Sequence, residues 1–143
     1  MNDRGPIVEK RFEYRGFPCV VLFQRRGWRC GYVGINHQID FSFTRYSEIE
    51  CHGGITYDDT ALYGQDDKKI TWIGFDCTHA FDLRDVESAE KYGINFREIM
   101  IMMELNKCYA NVTHAHLWTL EDVENECKKI VDQIIEVTDG KHG

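Results

Sequence analysis

Apolar and polar positions alternate along the first part of the chain, the signature of half-buried strands. Residues 12–14 and 17–24 are expected to be strands, broken at Gly16-Phe17-Pro18, and Arg25-Arg26-Gly27 reads as a tight turn. A third strand over 28–35 would set Trp28, Cys30 and Tyr32 on one face and Arg29, Gly31 and Val33 on the other. The opening is therefore expected to be an antiparallel meander. Between 36 and 46 the pattern lapses, with Phe41 and Phe43 hinting at a short element. Residues 49–57 read as a further strand, in which His52, Gly54 and Thr56 share one side. A polar loop over 58–69 leads to a central strand over 69–75, rich in Ile and Trp.

The second half changes period. Residues 80–93 are charged and show no regular pattern, whereas Phe96, Ile99, Met100 and Met103 suit a helix over 95–105, with Met100, Met102 and Met103 as core filling. The last element is the clearest. Thr119 and Asp122 make a capping pair, Val123, Cys127, Ile130, Val131 and Ile134 form one stripe, and Glu124, Lys128, Lys129, Asp132 and Glu136 lie opposite. Gly140 is the expected stop. The expected fold class is α+β: one domain over 1–143, an antiparallel β-sheet with a C-terminal amphipathic helix and one further helix packed on one face.

Composition narrows the function classes. At 143 residues the chain can bury a core without staples. A net charge of −7 argues against non-specific binding to nucleic acid or to an anionic membrane, so an anionic ligand would need a local basic or amide-lined pocket. No apolar run reaches membrane-spanning length, and residues 1–6 are polar, which points to a cytoplasmic protein. Six cysteines in such a chain read as free thiols, and no CxxC spacing suggests a zinc knuckle.

The candidate chemistry concentrates in two strings, Cys51-His52-Gly53-Gly54-Ile55-Thr56-Tyr57 and Trp72-Ile73-Gly74-Phe75-Asp76-Cys77-Thr78-His79. Three readings compete. His52, Cys77 and His79 offer ligand types for zinc, with water completing a hydrolytic site. Cys77 with His52 or His79, oriented by Asp76, would be a nucleophile, a base and its orienter. Or the strings line a ligand pocket: Gly53 and Gly54 amides cradle phosphate, His52 and Thr56 hydrogen-bond it, Tyr57 or Trp72 stacks a base, and Asp76 and His79 orient their neighbours. Tyr63 and Phe81 are further aromatic surfaces, and Arg25, Arg26 and Arg45 are available counter-charges. Against all three stands a plain bulge at His52-Gly53-Gly54, with Asp76 and His79 capping backbone. His114 and His116 read as packing or surface residues.

Four blocks carry a resemblance: Phe-Glu-Tyr-Arg-Gly-Phe-Pro-Cys at 12–19 leading into Arg29-Cys30-Gly31-Tyr32-Val33, the CHGGITY string, WIGFDCTHAFD at 72–82 and TLEDVENECKKIVDQI at 119–134. In this order they resemble a family of small uncharacterised proteins of tailed bacteriophages and prophages. The resemblance covers most of the chain and implies a viral accessory protein in the bacterial host cytoplasm. It implies no activity. The chain departs from the family pattern at Asn36-His37-Gln38, where a Gly-His-Pro turn is usual, and over the variable segment 83–116, so neither takes a role from it. Small phage proteins often blunt host immunity, which makes a nucleotide-like host signal the expected ligand of a non-enzymatic binder, with a homo-oligomer as the expected assembly. The alternatives are a small hydrolase dependent on metal or on Cys77 and His, and an inhibitor that binds a host enzyme through its acidic surface, with the contact expected to depend on loop 58–69.

Overall fold

The computed structural model describes residues 5–39 and 48–140. Phe41, Phe43 and Arg45, noted above, lie outside them. Five antiparallel strands form one sheet in the order β1-β2-β3-β5-β4: β1 (Ile7–Tyr14), β2 (Phe17–Phe23), β3 (Arg29–Asn36), β4 (Tyr57–Asp59) and β5 (Ile70–Asp76). Three helices follow, α1 (Val86–Lys91), α2 (Phe96–Lys107) and α3 (Leu120–Gly140). The α+β architecture follows directly from the two periods in the sequence. No helix among the described residues is long and apolar enough to cross a membrane.

Alternation along β2, β3 and β5 gives the sheet two apolar faces. Cys19, Val21, Val33, Ile73 and Phe75 meet the α3 stripe of Val123, Cys127, Ile130, Val131 and Ile134, and all of these are buried. Each such aliphatic side chain contributes about 1.5–3 kcal/mol. The expected capping pair forms in both directions: Asp122 N–H donates to Thr119 Oγ1 at 3.2 Å and Thr119 N–H to Asp122 Oδ2 at 3.1 Å. Gly31 is required where α3 comes nearest, because a Cβ there would lie 2.8 Å from Cys127 Sγ and closer still to the Phe75 ring. On the opposite face Val20, Leu22, Cys30, Tyr32 and Trp72 pack under Leu62, from the loop that follows β4. At the end of β2, Phe23 is enclosed by Ala89, Ile94, Ile99 and Met102 of the α1–α2 region.

Several elements differ from expectation. The strand expected over 49–57 is a loop up to Thr56, because Gly53 (φ 72°) and Gly54 (φ 78°) are both left-handed and break the extended chain. The segment 80–93 contains α1, started by Asp85, whose side chain accepts from the Ser88 amide. Among the described methionines only Met102 is core, while Met100 and Met103 are 43% and 44% exposed.

A buried charge hub joins these layers. The β1–β2 register slips between Val8 and Lys10, so Glu9 is the extra residue of a bulge, a device that re-aims a side chain. Its carboxylate accepts from Arg29 Nε at 2.6 Å and Nη2 at 3.1 Å. Arg29 also donates to Asp85 Oδ2, the Trp118 carbonyl and Ser88 Oγ, which uses all five of its donors. Tyr92 hydroxyl donates to the same Glu9 carboxylate. Burial alone would lower the Arg29 pKa, but Glu9 and Asp85 raise it above the usual value.

Candidate functional site

Loop 49–56 is clamped to α3 by side chains of the helix. Gln133 accepts from Glu50 N–H at 2.7 Å and donates to the Glu50 carbonyl at 2.8 Å, and Glu126 accepts from His52 N–H at 2.8 Å. This anchorage brings His52 against the segment that follows β5. There the buried Asp82 carboxylate accepts from His52 Nε2 at 2.6 Å and from His79 N–H at 3.0 Å. An ionised Asp82 only accepts, which puts the His52 proton on Nε2. The imidazole stacks on Trp118 at 4.2 Å and meets the edge of the His79 ring at 5.3 Å.

His79 in turn approaches Asp76, its Nε2 lying 3.2 Å from Oδ1 but off the line of a hydrogen bond. Asp76 accepts from Thr56 Oγ1 at 3.3 Å and from Thr78 N–H at 3.2 Å. Gly53 lies against the His79 ring, and any side chain at that position would run into it. The two strings therefore do converge, through His52, Gly53, Thr56, Asp76 and His79, with Asp82 as the link. Asp82 was not among the residues singled out from the sequence, although it closes the WIGFDCTHAFD block.

The remaining candidates part from this cluster. Trp72 is 2% exposed within the second core, so no base can stack on it. The Gly54 amide closes a turn on the Cys51 carbonyl at 3.0 Å rather than facing a ligand. Cys77 points into the core beneath α3, and burial pushes its thiol well up, away from the thiolate a nucleophile needs. With Cys77 turned away, neither the zinc set nor the nucleophile set comes together. Among the described residues no three His, Cys, Asp or Glu side chains are grouped to hold a metal ion. The short strings encode a packed hydrogen-bonded joint more than an open cavity.

Two open clefts among the described residues lie next to the joint. One cleft of about 240 Å³ is lined by Trp28, Tyr32, Thr56, Tyr57, Asp76 and Thr78. A second, of about 370 Å³, is lined by Arg26, Trp28, Thr78, Arg84, Ile101 and Leu105, with Glu98 at its wall. They share Trp28 and Thr78; the first alone is below the size of a typical small-molecule site, whereas the second falls within that range. The Arg84 guanidinium lies 5.2 Å from the centre of the Trp28 ring and donates to Thr78 Oγ1 at 3.3 Å, while its buried Nε has no partner. Thr56, Tyr57 and Asp76 thus reach the groove. Trp28, Thr78 and Arg84 were missed as site residues; the one signal available was that Trp28 shares a strand face with Cys30 and Tyr32.

Compared with known proteins, the chain matches no family model, no curated protein and no solved structure.

Proposed function

We propose that the protein is a non-catalytic binder of a small, phosphate-bearing aromatic ligand, a nucleotide by chemistry, held in the groove across Trp28. The observation that carries this reading is the arrangement at Trp28: an indole at the junction of two clefts, with Arg84 over its ring and Arg26 on the same rim. In a chain of net charge −7, two arginines beside an aromatic platform concentrate the attraction an anionic ligand needs. Arg26 and Arg84 would hold phosphate, Trp28 or Tyr57 would stack the base, and Thr56, Thr78 and Asp76 would hydrogen-bond a sugar. The His52–Asp82 joint would keep Asp76 and His79 in place behind the groove. The resemblance to phage proteins suggests the setting, an accessory protein that withholds a host nucleotide signal.

The test is calorimetric titration with a panel of mono-, di- and cyclic nucleotides. Binding is expected for the native chain and about 10- to 100-fold weaker for Trp28→Ala and for Arg26→Ala, the worth of one stack or one charged contact. Arg26 is exposed and makes no hydrogen bond or ion pair among the described residues, so its loss leaves the fold intact. Unchanged affinity in both variants, or no binding by the native chain, overturns the assignment.

A further inference from the structure

Helix α2 presents three different sides. Ile99 and Met102 enter the core, and Ile101 and Leu105 wall the groove. The third side carries Phe96, Met100 and Met103, which are 75%, 43% and 44% exposed. Their spacing of four and then three residues is that of a seam between paired helices. Lys107, one turn further on, continues the line with its methylene stem.

We propose that this seam packs against the same seam of a second copy of the chain, with the two α2 helices antiparallel about a twofold axis. Charge placement selects this occupant and this orientation. Arg97 and Glu104 lie seven residues apart on one flank of the stripe, symmetric about the midpoint between Met100 and Ile101. Antiparallel pairing at that midpoint sets Arg97 opposite the partner subunit's Glu104, and the twofold axis repeats the contact. Parallel pairing would instead put the two Arg97–Glu104 flanks on opposite sides of the seam, where neither charge meets its complement. Arg97 makes no ion pair or hydrogen bond among the described residues, whereas Glu104 holds Lys107 at 2.9 Å within its own helix. In the antiparallel register Met100 meets the partner subunit's Met100, and Phe96 enters between the partner's Met103 and Lys107. Methionine suits such a self-fitting seam because its unbranched chain adapts to its own image. A seam of three turns is small, so the dimer is reversible and concentration-dependent. It does not depend on what the groove binds.

Sedimentation equilibrium across the micromolar range tests this. The native chain is expected to pass from monomer to dimer. Arg97→Glu and Glu104→Arg each place like charges at two symmetric contacts and are expected to weaken association about tenfold, while the double variant restores it. A chain that stays monomeric throughout overturns the proposal. So does a dimer indifferent to the single reversals, or single losses that the double variant fails to restore.

Discussion

The Nε2 of His52 lies 2.6 Å from Oδ2 of Asp82, and this contact ties a loop held on α3 to the segment that leaves β5. Asp82→Ala removes the acceptor from both His52 Nε2 and the His79 amide. A loss of about 2 kcal/mol is expected, because a half-buried donor left unpaired forfeits its desolvation. Urea unfolding measures it. A loss below about 0.5 kcal/mol, the range of ordinary surface changes, would mean that water replaces the carboxylate freely.

Arg29→Ala should be the most damaging single change outside the apolar core. It leaves the Glu9 and Asp85 carboxylates buried and unpaired, at a cost of about 3–5 kcal/mol. Arg29→Lys is expected to recover only a small part, because an ammonium cannot reach Glu9 through two parallel bonds. Equal stability of the lysine variant and the native chain in thermal unfolding would refute the bidentate account.

The same hub predicts an acid limb. Burial would raise the Asp85 pKa, but the Ser88 hydroxyl and amide and the Arg29 guanidinium outweigh it and hold the carboxyl below its usual range. A folded value below the unfolded one means that the contribution is complete above about pH 4 and is lost as pH falls through the folded value. Stability should therefore drop on acidification below about pH 4, and Asp85→Asn should flatten that drop. An unchanged slope in the variant would remove Asp85 as a source.

Thiol labelling of the native chain should be ordered by burial. Cys108 is exposed and reacts first. Cys51 follows slowly, its thiol pushed up to about 11 by partial burial. Cys19, Cys77 and Cys127, all enclosed by the α3 layer, should label only on unfolding. Fast labelling of Cys77 would restore the nucleophile reading that its position disfavours.

The two adjacent glycines should differ. Gly54→Ala meets nothing within 4 Å, so its cost is that of a left-handed alanine, about 1 kcal/mol. Gly53→Ala carries the same strain and also displaces the His79 ring, so it should cost clearly more. Equal unfolding midpoints for the two variants would contradict the packing of His79 on Gly53.

How much of this was legible follows from what each residue type reveals locally. Val123 through Ile134 announced α3 because a long stripe and a capping pair are local features, and β2, β3 and β5 were readable because burial on both faces favours Val, Ile and Phe. The stretch 49–57 misled, since apolar alternation is silent about two left-handed glycines. Trp72 looked like a stacking platform because a tryptophan's burial depends on Leu62, a loop residue distant in sequence. Arg29 passed unnoticed for the same reason: the bulge at Glu9 and the cap at Asp85 become partners only after three separate segments meet. The two histidine strings did come together, with His52 and His79 in a joint beside the groove and Thr56, Tyr57, Asp76 and Thr78 on its lining.

The position of α3 in the chain has a consequence for biosynthesis. The helix covers β1, β2 and β3, strands made well before it. Until it emerges from the ribosome, the face bearing Cys19, Val21, Val33 and Phe75 has no cover, and the nascent sheet is a hydrophobic surface open to aggregation and to chaperones. Docking of the final helix is then the event that makes the sheet safe, and a ribosome that stalls before Val123 would release a sticky intermediate rather than a small stable domain.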